Sequence, residues 1–119
     1  IDLKNFMKQM INYYSMKGIK VLDYYYCPHY PISQKNNCFY RDCFCRKPRP
    51  LNFLKCLKKY KLRPENCIMV GDRQTDIKPA KALKFKKLVI IDRECSFLAK
   101  NHGRNIIVSN LVNLRSILW

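Results

Sequence analysis

The stretch from Cys67 to Asp92, CIMVGDRQTDIKPAKALKFKKLVIID, decides the fold. It opens on a short apolar run, Cys67-Ile68-Met69-Val70, which Gly71-Asp72 ends. Four apolar residues bounded by turn formers suit a strand and are too few for a helix. A helix is predicted from about Thr75 to Leu83. Lys87 to Asp92 then carries Leu88-Val89-Ile90-Ile91, a continuous apolar run of the kind found in strands covered on both faces. Strand, helix and strand in this order form a crossover unit, which needs a parallel pairing.

Working outward, Leu62–Asn66 reads as a turn. Residues 51 to 61 read as a helix with an apolar stripe of Leu51, Leu54, Leu57 and Tyr60. Downstream, 93 to 104 are irregular, Asn105–Val108 suits a short strand, and Leu111–Leu118 a terminal helix. Upstream, residues 27 to 50 show no periodicity and are punctuated by proline and asparagine. So long a loop in a compact domain is usually functional or tied down. Before it, Ile19–Tyr26 is rich in β-branched and aromatic residues and reads as a strand. Residues 2 to 17 read as a helix with one buried face, formed by Leu3, Phe6, Met7, Met10, Ile11 and Tyr14. Asp2 is placed to cap this helix and Gly18 to stop it. The expected class is α/β: a partial Rossmann-like parallel sheet with helices on both faces. Ligands of such sheets bind at the carboxyl ends of the strands. Cys27 and Asp72 should therefore share one rim.

With 119 residues the chain is one domain or part of one. Nearly half of it (48%) is apolar, which argues against disorder. No apolar run reaches the roughly 18 to 20 residues of a membrane helix. The chain opens on Ile1-Asp2-Leu3-Lys4, without the basic start of a secretory signal, and is read as beginning partway through a longer protein. The formal net charge is +16. Such a field suits an anionic partner, whether nucleic acid, anionic lipid or a phosphorylated small molecule, but drift in composition gives the same number. The lysines are scattered through every segment rather than clustered with aromatic residues, as in many nucleic-acid readers.

Seven cysteines are an odd number, which does not suit a secreted disulfide framework. Cys56 and Cys67 fit core positions, and Cys95 has no evident role. Four others lie together. Cys27-x-His29 is followed by thirteen residues and Cys43-x-Cys45, with Cys38 between as a possible substitute ligand. Residues two apart on an extended backbone point to one side. Each pair can therefore offer two ligands, and three thiolates with one imidazole make a tetrahedral zinc set. Four protein ligands close the shell, so zinc here would be structural, clipping a loop with no apolar core of its own.

Arg46-Lys47-Pro48 leaves the second pair directly. An arginine fork and a lysine point charge suit a phosphate oxygen, although two more cations in a basic chain are unremarkable alone. Asp72 stands at a strand end, with Asp76 four residues on. Carboxylates there suit magnesium, which takes few protein ligands beside phosphate and water. Asp76 also suits a helix N-terminus on electrostatic grounds alone.

Taken together, Cys27-Pro28-His29-Tyr30-Pro31, Cys43-Phe44-Cys45-Arg46-Lys47-Pro48 and Met69-Val70-Gly71-Asp72-Arg73-x-x-Asp76 resemble the haloacid dehalogenase superfamily. Within it they are similar to the zinc-containing phosphatases of D-glycero-D-manno-heptose 1,7-bisphosphate, with histidinol-phosphate phosphatases as near relatives. The long spacer between the cysteine pairs is more like that of the heptose enzymes. The resemblance implies a haloacid dehalogenase type of sheet and a magnesium-dependent phosphatase of a sugar bisphosphate. Zinc would sit on Cys27, His29, Cys43 and Cys45. Lys47 would stabilise the transferring phosphoryl group, Arg46 and Arg73 would contact substrate, and Asp72 would hold magnesium. Asp76 would support Lys47 or the magnesium shell. The resemblance also implies a cytoplasmic enzyme of carbohydrate metabolism, on the way to lipopolysaccharide or surface-glycan precursors. Its expected partner is a phosphorylated sugar and the expected state a monomer. No membrane is expected, nor nucleic acid, because paired carboxylates at the strand end would repel its phosphates. A basic zinc module on nucleic acid is the competing reading.

Family members begin with a strand ending in D-x-D, whose first aspartate is the nucleophile. No D-x-D occurs in these 119 residues, and the Ser/Thr-bearing second motif is absent too. The chain is expected to be the C-terminal two-thirds of one phosphatase domain, with a zinc loop at 27–45, and to be inactive alone.

Overall fold

A computed structural model describes residues 2–29, 43–92 and 106–108, the last three through their backbone. Helix α1 spans Leu3–Met16 and α2 spans Leu51–Lys59. Strand β1 is Ile68–Gly71, α3 is Gln74–Ala82, β2 is Lys87–Ile91 and β3 is Ile106–Val108. A single 3₁₀ turn, Pro64–Asn66, leads into β1. The strands form one parallel sheet in the order β1-β2-β3. Val70 lies opposite Val89 and Gly71 opposite Ile90, while Ile90 also faces Ile107. The α/β class and the crossover read from 67–92 are therefore present.

The core follows from the alternation along β2. Leu88 and Ile90 point to one side, where Ile77 and Ala80 of α3 meet them. Phe53 of α2, Met69 and Phe85 close this cluster, with the rings of Phe53 and Phe85 edge-on at 6.1 Å. Val89 and Ile91 point to the other side and are buried as well. Both faces of β2 are thus covered, which is why its sequence is apolar without interruption. A side chain such as Ile90, with no exposed surface, contributes on the order of 1.5–3 kcal/mol by leaving water.

The three described helices end alike. The chain turns left-handed one residue past the cap, and the next two amides bond back to the last turn. After α1 that residue is Gly18, with φ +77°. After α2 it is Lys61 (φ +51°) and after α3 Lys84 (φ +60°). Leu62 N–H donates to Leu57 O at 2.9 Å, and Phe85 N–H to Ala80 O at 3.0 Å. A side chain in this conformation costs about 1–2 kcal/mol, partly offset in glycine by its freer unfolded chain. Lys61→Gly and Lys84→Gly are each expected to raise stability by about 0.5–1 kcal/mol. The midpoint of urea unfolding at unchanged slope would measure it.

Three expectations need correction. Ile19–Tyr26 is not a strand. Among the described residues the sheet ends at β1, and no strand lies beyond it to pair with this segment. Side chains hold it instead. Lys59 Nζ donates to Asp23 Oδ2 at 2.7 Å, and the Tyr60 hydroxyl lies 3.0 Å from both Asp23 Oδ2 and the Leu22 carbonyl. The Lys59 ammonium, then the Tyr24 N–H and the Tyr60 hydroxyl, hold the Asp23 carboxyl well below the usual range. Second, the α1 stripe is not buried: Leu3, Phe6 and Tyr14 are exposed, and Met7, Met10 and Ile11 half-buried. The capping forecast does hold, since Asp2 Oδ1 accepts from Lys4 N–H at 3.0 Å. Third, Cys56 and Cys67 are half-buried rather than core, though burial still pushes both thiols up. The forecasts for Cys38, Cys95, residues 93–105 and the helix at 111–118 lie outside the described residues.

Candidate functional site

The chain between α1 and α2 brings its two cysteine-bearing turns together. Cys27 Sγ lies 3.5 Å from Cys43 Sγ and 3.2 Å from Cys45 Sγ. His29 Nδ1 lies 3.2 Å from Cys45 Sγ and 3.7 Å from Cys27 Sγ. All four ligand atoms fall within 4.8 Å of one another. A disulfide needs sulfurs near 2.0 Å, so these are not disulfides. A tetrahedral shell with metal–sulfur bonds of about 2.3 Å has edges of about 3.7 Å, close to these spacings. The four residues singled out from the sequence can therefore hold one metal ion, with His29 offering Nδ1. Burial, together with the neighbouring Cys27 and Cys43, pushes the Cys45 thiol up to about 11. Three crowded sulfurs cannot all ionise without a cation among them, and a bound divalent ion supplies that charge.

Two side chains not picked out from sequence, Arg49 and Asn52, brace this clip together with Arg46. Arg49 Nη1 donates to the Cys43 carbonyl, and its guanidinium lies over the exposed ring of Phe44, 5.3 Å from the centroid. Asn52 Nδ2, from the first turn of α2, donates to the Cys45 carbonyl at 3.3 Å. Arg46 Nη1 donates to the His29 carbonyl at 2.7 Å and so joins the two halves of the clip. Arg49 follows the R-K-P run at once, which was the available signal; nothing in the sequence marked Asn52.

Past the clip the chain enters a cleft of about 900 Å³. Cys27, Cys45, Arg46 and Lys47 line one side, Asp72, Arg73 and Asp76 another, and Tyr25, Tyr26, Phe53 and Met69 contribute apolar wall. The metal turns and the end of β1 thus share one rim. Lys47 Nζ donates to Asp76 Oδ1 across this rim. The Lys47 side chain is half exposed, whereas Asp76 retains 6%. The other Asp76 oxygen accepts from Arg73 N–H at 3.2 Å, closing the first turn of α3. Gly71 makes this possible. A Cβ there would stand 2.5 Å from Asp76 Cβ, closer than any side chain tolerates. Asp72 and Arg73 are exposed at the strand end.

An apolar strand delivers a carboxylate to the cleft, a buried aspartate holds a lysine there, and the cysteine–histidine clip lies beside them. Residues 44–92 match the family model described as HAD-hydrolase-like. Over 75 residues the chain is 35% identical to the D-glycero-beta-D-manno-heptose-1,7-bisphosphate 7-phosphatase of Pasteurella multocida, covering 63% of this chain and 40% of the relative. With the enzyme of the same name from Haemophilus influenzae it shares 33% over 95 residues, covering 79% and 50%. With the histidine biosynthesis bifunctional protein HisB of Buchnera aphidicola it shares 30% over 105 residues, covering 82% and 27%. The chain resembles phosphatases of the haloacid dehalogenase superfamily and, among them, those named for heptose 1,7-bisphosphate. It spans half or less of the length of these relatives. Among the described residues no helix is long and apolar enough to cross a membrane.

Proposed function

We propose that this chain supplies the phosphate-facing part of a phosphoric monoester hydrolase acting on a sugar bisphosphate of the heptose 1,7-bisphosphate type. The observation that carries the reading is the Lys47–Asp76 pair on the rim of a cleft lined also by Asp72, Arg46 and Arg73. Asp76 fixes the lysine ammonium, whose half-exposed side chain can turn its remaining N–H groups to a phosphoryl oxygen. Arg73 and Arg46 supply forked donors to the rest of the substrate. Zinc fits the three thiolates and the imidazole, and its role is structural because four protein ligands fill its shell.

Asp72 would hold magnesium, which neutralises charge on the phosphoryl oxygens when bound. Asp76 is engaged by Lys47, so these residues offer one available carboxylate. That suffices for magnesium only with a further ligand from a D-x-D strand, which also bears the nucleophile and is not within the 119 residues. Such a strand would pair along the edge of β1 that no described strand occupies. The free cysteines among the described residues suit a reducing compartment, and we place the protein in the cytoplasm.

The test is phosphate release from heptose 1,7-bisphosphate with magnesium, with histidinol phosphate in parallel. The 119-residue chain should show no turnover. A chimera carrying the N-terminal segment of the Pasteurella relative, with its D-x-D strand, should turn over the bisphosphate. Lys47→Met in that chimera should lower kcat by about 10²–10³-fold. Turnover by the isolated chain, or a folded chimera indifferent to Lys47, would defeat the reading. Preference for histidinol phosphate would move the assignment to the other relative.

A further inference from the structure

From Ile77 to Ile91 the chain carries Lys78, Lys81, Lys84, Lys86 and Lys87 and no acidic residue. The first four are exposed. Lys78 and Lys81 stand three apart on α3, so they share a face, and it is not the face that Ile77 and Ala80 bury in the core. Lys84 follows at the left-handed cap and Lys86 two residues on, where its N–H is tied to the Cys67 carbonyl at 2.8 Å. Lys84 holds a conformation that favours glycine, so a cation stands where the backbone would prefer none.

Most acidic groups of the described residues are engaged elsewhere. Asp23 is paired with Lys59, Glu65 with Arg63 and Asp76 with Lys47, and Asp92 is buried. Asp72 lines the cleft together with Asp76, whereas none of the four lysines does. Repulsion by the strand-end carboxylates argued against nucleic acid on sequence grounds. That objection concerns the cleft, and the lysines lie outside it.

We propose that Lys78, Lys81, Lys84 and Lys86 form a docking surface for the phosphate backbone of a duplex nucleic acid, recognised without regard to base sequence. Lysine ammonium groups contact phosphates as point charges and carry little base information. Among the described residues no large exposed apolar side chain lies between Asp72 and Asp92, so this stretch offers no ring to stack on bases. It equally lacks the apolar face that an interfacial membrane helix inserts, which favours a duplex over a lipid surface.

The test is fluorescence anisotropy of a labelled 30-base-pair duplex of mixed sequence, titrated with the 119-residue chain at 50 to 200 mM NaCl. Each phosphate contact adds about 0.9 to the slope of log affinity against log salt. The variant Lys78→Gln/Lys81→Gln/Lys84→Gly/Lys86→Gln should flatten that slope by about 3 to 4 and bind at least 10-fold more weakly at 50 mM. The control Lys4→Gln/Lys8→Gln/Lys17→Gln/Lys20→Gln removes four exposed lysines elsewhere and should change the slope by less than 1. Circular dichroism checks that both variants fold, and Lys84→Gly relieves the cap rather than straining it. Equal losses in the two variants would overturn the proposal, because only net charge would then matter. So would absence of binding at 50 mM, or phosphatidylserine vesicles competing as well as duplex at equal phosphate.

Discussion

Replacing Cys45 by serine is expected to abolish stoichiometric metal binding. Cys45 Sγ is the centre of the cluster, 3.2 Å from both Cys27 Sγ and His29 Nδ1. Structural zinc sites bind with about 10–16 kcal/mol shared among four ligands, so one ligand is worth a factor of about 10² or more. The effect should exceed any single packing change because the clip has no core to fall back on: Cys27, His29, Cys43 and Cys45 are only partly buried, and Phe44 is 75% exposed. Elemental analysis should find about one zinc per wild-type chain, and less than half an equivalent would count against the site. Cobalt in place of zinc should give the intense visible bands of tetrahedral thiolate coordination, lost in Cys45→Ser. Acid should have the same effect, since protons compete for thiolate and imidazole. Hydrogen exchange should then show 43–50 opened by chelator while β2 stays protected. The Leu88 and Ile90 cluster contains none of the four ligands, so it should survive metal loss.

What could be read from the sequence was local. The strand at 68–71, the helix after it and the buried strand at 87–91 announce themselves by short apolar runs and by Gly71-Asp72. The clustering of Cys27, His29, Cys43 and Cys45 was legible because residues two apart share a side on a turning backbone. What failed depends on distant partners. Ile19–Tyr26 has the composition of a strand, but a strand exists only through a ladder, and no described strand stands beside it. The stripe of α1 has the right period, yet a period says which residues share a face and not whether anything covers it. Arg49 and Asn52 act on backbone carbonyls of the clip, and no residue pattern records which carbonyl will need a donor. The same limit applied to charge. Sixteen surplus cations were visible at once, but only the fold separates the lysines after Ile77 from the carboxylates of the cleft.

Removing the Asp76 carboxylate should be the most disruptive change outside the metal clip. Its side chain is nearly buried and bonds to Lys47 Nζ and to Arg73 N–H, so Asp76→Ala deletes an ion pair and the cap of α3 together. Charge-assisted bonds of this kind are worth about 1.5–3 kcal/mol, and an orphaned N–H at a helix start adds to the loss. The expected destabilisation is about 3 kcal/mol by urea unfolding, with Lys47 released into solvent. Gly71→Ala attacks the same place from below. The new Cβ would meet Asp76 Cβ at 2.5 Å and Oδ2 at 2.8 Å, and since the nearest atom adjoins the backbone, α3 itself must shift. Overpacking of this sort costs about 1–3 kcal/mol. Asp76→Ala keeps its own Cβ, so it should not relieve the clash, and the double variant should cost nearly the sum of the two. A double variant as stable as Asp76→Ala alone would show that β1 and α3 are not in contact here. Lys47 reports separately. Its acetylation by a limiting anhydride should quicken several-fold in Asp76→Ala, while Lys58 on α2 stays unchanged, and equal rates at Lys47 before and after the substitution would refute the pairing on which the proposed phosphate site is built.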